Sequence, residues 1–357
     1  MIFLRKNFLK ILITIIMLVF LIIAPYPLFT KIYALNYNLN NEYKFDYNGV
    51  IELWNVDTFE GGSVSRTNFL EKRAVEFEKK NKGALILVKN ITVEQLKLNL
   101  ESNKKPNLIT FGIGVGDLIL NDIITLNSGY KIREDLLKSS TINNQIKALP
   151  IMLGGYSLIT NKEKLASSEI NDIISNSVVY SKTDFNIPLL SLFVNDLNSL
   201  QQNDTKVNSF DAYDKFIHES FSSILGTQRD YYRCKNRENN LKMQCNYINL
   251  GGFSDLIVYG SVFKSDNKTE IICQKFLEYL VSDYSQQILS NINMFSVLDK
   301  NIYNDEDYKN YNKILLKPLK TLNVFYTSQT LETIKNLVDD YYFNSKDNKK
   351  EILKYLI

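Results

Sequence analysis

Residues 50–91 read VIELWNVDTFEGGSVSRTNFLEKRAVEFEKKNKGALILVKNI, and their pattern of apolar residues predicts a strand, a helix and a second strand. The alternation of the first seven residues is typical of a half-buried strand, which the acidic, glycine-containing run 57–62 ends. Ser65 is the predicted N-cap of the helix, which carries apolar residues on one face and charged residues on the other. Residues 84–88 are all apolar, as in a strand that is buried on both faces. The stretch therefore predicts a βαβ unit whose first connection is longer and more polar than packing requires.

The first 34 residues predict export. Basic residues precede the apolar run 11–24, whose length suits the core of a secretory signal better than a full membrane span. Ile-Tyr-Ala at 32–34 is a tolerable cleavage site, and without cleavage the same segment would remain as a membrane anchor. In both cases the globular part is extracytoplasmic, either secreted or anchored at the outer face of the cell membrane. The first cysteine is Cys234, so no lipid-modified cysteine follows the segment.

The composition indicates a globular body with nearly balanced charge. The chain has 357 residues, of which 42 are basic and 39 acidic, for a net charge of +3. Four basic residues and no acidic ones lie in residues 1–34, so the rest of the chain carries a net −1, which argues against a nucleic-acid partner. An apolar fraction of 45% excludes a disordered chain. The roughly 320 remaining residues are enough for two lobes.

The cysteines and the one histidine limit the chemistry that the chain can perform. Cys234 and Cys245 either close a short loop in an oxidising compartment or remain unpaired thiols, like Cys273. There is no CxxC motif and His218 is the only histidine, so we expect no metal site and no cofactor. A Ser-His-Asp or Cys-His site would depend on that histidine alone, and no nucleophile-elbow motif lies near it. The sequence therefore predicts a protein that is not an enzyme.

Beyond the first unit, predicted strands and helices alternate along the chain. The strands are predicted at 106–111, 157–160, 221–225 and 294–297. One helix is predicted at 189–200, two lie in the tail, and Asn267 and Glu270 form a predicted capping box for another. The glycines of the run 112–116 lack the GxGxxG spacing of dinucleotide-binding loops and suit a flexible strand exit. This alternation predicts an α/β architecture.

Taken in order, these segments resemble the extracellular solute-binding proteins of ATP-binding-cassette importers, in the carbohydrate-type family 1. The resemblance spans residues 50–338 and depends on the order of short segments along the chain, none of which is a strong motif alone. In the first part these segments are the strand ending in Trp54, the helix FLEKRAVEFEKKNKG, residues 106–111, Leu149-Pro150, Gly155-Tyr156 and Asn161-Lys162. In the second part they are residues 224–227, Asp255-Leu256-Ile257, Phe263-Lys264, the helix KFLEYLVSDYSQQIL and Met294-Phe295-Ser296-Val297. The loop 57–62, with Ser65-Arg66 after it, resembles a clostridial-type subgroup. The chain departs from the family at His218-Glu219-Ser220, where Gly-Lys is usual, and in lacking the lipobox cysteine.

The resemblance implies a two-lobed α/β fold of the periplasmic-binding-protein-like type II class, with a cleft between the lobes and a hinge that closes around the ligand. Residues 1–34 are then the signal peptide or membrane anchor. The first lobe is expected to comprise 49–153 and 255–298, and the second 154–254 and 299–357. The chain would cross between them within 112–155, at 252–255 and at 297–301.

The resemblance also places the ligand site in the cleft, with one wall from each lobe. The candidates are Trp54, Asp57, Phe59 and Glu60 for the first wall, Tyr156, Thr227 and Gln228 for the second, and Tyr231, Arg233, Phe253 and Asp255 beside them. Trp54 would stack on the apolar face of a sugar ring, unless it is a core residue. Asp57 and Glu60 would accept hydrogen bonds from hydroxyl groups, unless they are solvated or pair with Arg66. The remaining candidates suit packing inside a lobe or at the crossings as well as they suit ligand contact.

The function implied is a receptor that captures a small polar ligand, most simply an oligosaccharide, and delivers it to an ABC permease by hinge closure. Two alternatives remain: a membrane-anchored sensor that signals to a partner protein, and a surface glycosidase with carboxylates from Asp57, Glu60 and Asp255. The receptor is expected to act as a monomer without a nucleic-acid partner, and to touch the membrane only if residues 1–34 are retained.

Overall fold

The structure is a computed structural model that describes residues 47–59, 63–127, 129–176, 178–181, 185–198, 200, 207–218, 221–241 and 243–357. No helix in these ranges is long and apolar enough to span a membrane. The predicted signal or anchor segment and the candidate Glu60 lie outside them.

Short strands alternate with helices through most of the described chain. The strands are β1 (Gly49–Val56), β2 (Ala84–Ile91), β3 (Leu108–Phe111), β4 (Thr141–Ile142), β5 (Gln145–Ile146), β6 (Leu149–Leu153), β7 (Tyr156–Asn161), β8 (Val178–Tyr180), β9 (Ser223–Thr227), β10 (Cys245–Leu250) and β11 (Ile257–Val262). The helices are α1 (Ser63–Lys80), α2 (Val93–Glu101), α3 (Gly116–Ile119), α4 (Glu134–Lys138), α5 (Ile170–Ile174), α6 (Leu189–Val194), α7 (Ser209–Ile217), α8 (Gln228–Leu241), α9 (Asn267–Leu280), α10 (Asp283–Gln287), α11 (Glu306–Leu315), α12 (Ser328–Phe343) and α13 (Lys349–Leu353).

One lobe is built on a five-stranded sheet of order β2-β1-β3-β11-β6, and we call it the five-stranded lobe. The predicted βαβ unit forms its start, since β1 runs parallel to β2 with Leu53 beside Val88. Strand β11, which comes much later in the chain, pairs antiparallel with both β3 and β6. Helices α1 and α9 pack against each other through an edge-to-face contact between Phe77 and Phe276, whose ring centroids are 5.2 Å apart.

The other lobe is built on a four-stranded sheet of order β10-β7-β9-β8, and we call it the four-stranded lobe. Strand β7 lies between β10 and β9 and is antiparallel to both. The helix α11 of the tail packs beside β10, and α12 is joined to the region of α6 by the bond from the Tyr342 hydroxyl to the Leu197 carbonyl, 3.0 Å long. Helices α11 and α12 of the tail therefore contact the four-stranded lobe.

Several element boundaries differ from those that the sequence predicts. Helix α1 begins at Ser63, so Ser65 lies in its first turn and is not the N-cap; both serines fit the pattern and the helix starts at the earlier one. Helix α9 is capped by Asp266 and not by Asn267, because the Asp266 carboxylate accepts the Thr269 backbone N–H at 3.1 Å. Helix α6 ends at Val194 and not at residue 200, because Asp196 takes a left-handed conformation with φ of 54°.

Asp255 ties the two lobes together where the chain returns to the five-stranded sheet. Its carboxylate, which is buried, accepts the Tyr156 hydroxyl at 2.6 Å and the Ile187 backbone N–H at 2.7 Å. The Asn186 side chain donates to the Asp255 carbonyl at 3.0 Å. The rings of Tyr156 and Phe253 stack with centroids 6.4 Å apart. Asp255 thus joins the second crossing to the start of β7 and to the segment before α6.

Gln228 makes the corresponding connection at the first crossing, residues 154–155. Its side-chain oxygen accepts the Gly155 N–H at 3.0 Å, and its own backbone N–H donates to the Gly155 carbonyl at 2.7 Å. The side-chain amide also donates to the Met294 sulfur at 3.2 Å. The first residue of α8 is therefore fixed to the crossing by two hydrogen bonds and to Met294 by a third.

The burial of Asp255 leads to a prediction about pH and stability. Burial raises the pKa of the Asp255 carboxyl above its ordinary value, because the charged form loses its hydration. The stability that this group contributes is then greatest below its unfolded pKa of about 3.9, and it falls as the pH rises through the raised folded pKa. Asp255→Asn keeps an acceptor for Ile187 and removes the charge. We expect the free energy of unfolding of Asp255→Asn, relative to the wild type, to increase between pH 4 and pH 7 in urea denaturation.

Asp299→Asn is the matched control, since Asp299 is exposed. It should follow the wild-type pH profile. A constant difference between Asp255→Asn and the wild type across this range would contradict the prediction.

Candidate functional site

A small cavity lies where the two lobes meet. It is lined by Phe59, Tyr156, Ser181, Asn186, Pro188, Ala212, Ile224, Leu225, Gly226, Thr227, Asp230 and Leu256. Its volume is about 30 Å³, which is room for one water molecule and not for a sugar ring. Two larger grooves, of about 490 and 510 Å³, are each confined to the five-stranded lobe. The interlobe cavity is the site candidate because both lobes line it.

Phe59 is a residue of the five-stranded lobe that faces the four-stranded lobe across the cavity. It follows β1, is 7% exposed, and lines the cavity opposite the end of β9. Arg66 holds it from α1: the guanidinium donates to the Phe59 carbonyl at 2.6 Å and lies 4.4 Å from the centre of the ring. The phenyl ring is therefore fixed in place by a residue of its own lobe.

Arg66 is itself almost fully buried, with 2% of its side chain exposed, and it pairs with Asp57 at 2.8 Å. Burial lowers the pKa of the Arg66 guanidinium from its ordinary value, while the negative charge of Asp57 opposes that shift. The positive charge of Arg229, on α8, adds to the lowering. The ion pair of the five-stranded lobe therefore lies within electrostatic reach of a cation from the four-stranded lobe.

The glycine run 112–116 is needed for close approach and does not act as a loose strand exit. A β-carbon at Gly112 would lie 2.1 Å from the Thr58 hydroxyl and 3.4 Å from the Phe59 ring. One at Gly114, whose φ is 90°, would lie 2.0 Å from the ring of Phe185. Phenyl rings from both lobes thus pack on the same backbone, which only glycine permits.

The opposite wall is built by the end of β9 and the first turn of α8. The Asp230 carboxylate accepts the Thr227 backbone N–H at 2.9 Å, and Arg233 approaches the other carboxylate oxygen at 3.6 Å. Gly226 lets this carboxylate lie against the strand, since a β-carbon there would be 2.8 Å from the Asp230 side chain. The Ser181 hydroxyl also lines the cavity and is buried without a hydrogen-bond partner among the described residues. It is thus a polar group that a ligand hydroxyl could satisfy.

The structure brings some of the predicted site residues together and places others elsewhere. Phe59, Tyr156 and Thr227 line the cavity. Asp57, Gln228 and Asp255 support that lining through Arg66, Gly155 and Tyr156, as described above.

The other described candidates lie away from the cavity lining. Trp54 is buried in the five-stranded sheet and donates its indole N–H to Glu52 at 3.2 Å. Tyr231 packs edge-to-face on Tyr247, with centroids 4.9 Å apart. Arg233 lies over the Tyr213 ring at 4.4 Å, and Phe253 stacks on Tyr156.

Sequence reasoning missed the cavity residues that come from the segment before α6 and from α7, which include Ser181, Asn186, Pro188 and Ala212. No local pattern distinguishes them, because the connections that bring them to the cavity are tertiary. Among the described residues no group of histidine, cysteine and acidic side chains is arranged to hold a metal.

The fold is similar to that of several solved sugar-binding proteins. The GacH receptor of Streptomyces glaucescens GLA.O, solved unliganded and with acarbose, aligns with a TM-score of 0.61 at 11% identity over 86% of this chain and 96% of that chain. Maltose-bound MalE3 of T. maritima aligns with a TM-score of 0.61 at 10% identity over 86% and 98%. A chitin oligosaccharide binding protein aligns with a TM-score of 0.61 at 12% identity over 86% and 97%. No protein-family model and no curated protein matches the sequence.

At such low sequence identity, the structural similarity shows the fold alone. It confirms the predicted two-lobed α/β class. The clostridial-type subgroup stays a prediction.

The position of Phe59 leads to a prediction about the lobes. Phe59→Ala removes the buried ring that faces β9 across the cavity, so we expect a loss of about 3 kcal/mol in the free energy of unfolding. We also expect a larger radius of gyration in small-angle X-ray scattering, because the lobes lose an apolar contact that holds them together. Phe210→Ala is the control, since Phe210 is 67% exposed on α7. Equal scattering and equal stability for the two variants would show that Phe59 does not hold the lobes.

Proposed function

We propose that this chain is an extracytoplasmic receptor that captures a small polar ligand, an oligosaccharide, between its lobes and passes it to an ABC permease. The observation that carries the proposal is the cavity that Phe59 of one lobe shares with β9 of the other. The proteins of similar fold include receptors for acarbose, maltose and chitin oligosaccharides. The proposed lobes are 49–153 with 255–298, and 154–254 with 299–357, and the receptor acts as a monomer.

The size of the cavity bears on how capture would occur. About 30 Å³ is far less than the several hundred Å³ of a typical ligand pocket, so a sugar enters only if the lobes separate and Phe59 leaves β9. The crossings at Gly155 and Asp255 are the short connections about which that motion would take place. The free energy of binding would then be that of the ligand's interactions with both walls in the closed form, reduced by the cost of opening.

The carboxylates support binding over hydrolysis. A glycosidase needs one carboxyl group to give a proton and another to act as base or nucleophile. Asp57 is paired with the buried Arg66, and both oxygens of Asp255 accept hydrogen bonds from Tyr156 and Ile187. These two carboxylates are held by partners within the protein, which favours a receptor without catalytic activity.

A thermal-unfolding screen tests the proposal. Maltodextrins, chitin oligosaccharides and neutral monosaccharides are added to residues 35–357. A sugar at 100-fold over its Kd should stabilise the protein by about 2.7 kcal/mol, because it binds only the folded state. Stabilisation by peptides or polyamines with no effect of any sugar would replace the oligosaccharide with another solute class. Hydrolysis of the added sugar would instead support the glycosidase alternative.

Ser181→Ala tests whether the interlobe cavity is the place of binding. Loss of one hydrogen bond to a ligand hydroxyl should weaken binding by about 1 kcal/mol, a factor of roughly five in Kd, in isothermal titration calorimetry. Ser175→Ala is the control, because Ser175 is exposed in the same lobe. An unchanged Kd for Ser181→Ala would move the site away from this wall.

A further inference from the structure

Two buried cysteines lie against each other in the four-stranded lobe. Cys234 is in α8 and Cys245 is the first residue of β10. Cys234 is fully buried and Cys245 is 4% exposed. Helix α8 packs against β10 here, since the rings of Tyr231 and Tyr247 lie edge-to-face with centroids 4.9 Å apart. Tyr231 lies one turn before Cys234 on the same helix face. Tyr247 lies two residues after Cys245 on the same strand face, so the two thiols face each other. The third cysteine, Cys273, is buried on α9 in the other lobe.

We propose that Cys234 and Cys245 form a disulfide bond in the exported protein. The inference rests on the proposed extracytoplasmic location, because disulfides persist in oxidising compartments. The two thiols face each other across the α8–β10 contact, so cross-linking them needs only a local adjustment of the two elements. The ten residues between them make this a short, local loop.

The surroundings of the pair favour a structural bond over a reactive thiol. The neighbouring Cys245 thiol and burial raise the pKa of Cys234, and the nearby Asp230 adds to this. A reactive or metal-binding cysteine needs the opposite environment, an exposed and electropositive one. Cys234 is therefore unreactive once α8 has docked, so we expect the bond to form during folding, before the helix docks.

The reaction is a thiol–disulfide exchange with a low-molecular-weight or protein disulfide as oxidant. One cysteine thiolate attacks the oxidant and releases its first thiolate, which leaves a mixed disulfide. The second cysteine thiolate then attacks that bond and releases the second one. Two protein thiols lose two electrons and two protons, and the oxidant becomes two thiols.

The bond would link α8, whose Asp230 lines the cavity, to β10, which pairs with β7 in the same sheet. Helix α8 begins at Gln228, which is fixed to Gly155 at the crossing. Strand β10 pairs with β7, where Leu250 lies beside Tyr156. A covalent tie between α8 and β10 would therefore hold the Thr227 and Tyr156 sides of the wall in one rigid unit.

Alkylation and mass spectrometry test the proposal on the purified full chain. The protein is unfolded and refolded in a buffer of reduced and oxidised glutathione, then denatured and treated with iodoacetamide before and after reduction. We expect one alkyl group before reduction, on Cys273, and three after it. Cys273→Ala should carry no alkyl group before reduction and two after it. Cys234→Ser should carry two alkyl groups both before and after reduction.

Three alkyl groups on the wild type before reduction would overturn the proposal, as would a glutathione adduct on either cysteine or a bond to Cys273. Thermal unfolding gives a second readout. Reductant should lower the Tm of the wild type and of Cys273→Ala but not that of Cys234→Ser. The alkylation result does not depend on ligand binding, so a disulfide without any sugar response would overturn the proposed function and leave this inference intact.

Discussion

The buried carboxylate of Asp255 is the group around which the two lobes are organised. A charge out of water is tolerated only when hydrogen bonds replace its hydration, and both of its oxygens have a donor. Each donor lies on a different part of the four-stranded lobe, while Asp255 itself precedes β11 of the five-stranded sheet. The requirement to satisfy one carboxylate therefore sets the position of Tyr156, and with it one side of the cavity.

A second constraint acts on the other side of the cavity, where Arg66 and Phe59 form one unit. The phenyl ring gains about 2 kcal/mol from burial at the interface, and a ligand that separates the lobes must offset this loss. Because Arg66 binds the Phe59 carbonyl and not only its ring, this bond would hold the backbone at Phe59 if the ring were released. In the proposed opening, the five-stranded lobe would then keep this contact between Arg66 and Phe59.

The sequence predicts the local units of this fold better than it predicts the site. The βαβ unit and the two-lobed class follow from apolar periodicity and from the order of short segments. The predicted N-caps Ser65 and Asn267 both lie inside their helices: α1 begins two residues before Ser65, and Asp266 takes the cap of α9 one residue before Asn267. Among the site candidates, Phe59 was identifiable as a phenyl in a polar loop. The burial of Trp54 depends on tertiary packing, and Ser181 has no local signal.

The backbone at Gly112 and Gly114 is packed so closely that neither position has room for a methyl group. At both positions a β-carbon would overlap a neighbouring group by more than any side-chain adjustment of a few tenths of an ångström could relieve. A side chain at Gly112 would displace Thr58 and Phe59 within the five-stranded lobe. A side chain at Gly114 would press on Phe185, which precedes α6, and would bias the chain toward separated lobes. Gly114 is thus a position outside the cavity lining at which a substitution would change the separation of the lobes. In the proposed receptor it would therefore change the affinity without changing the groups that select the ligand.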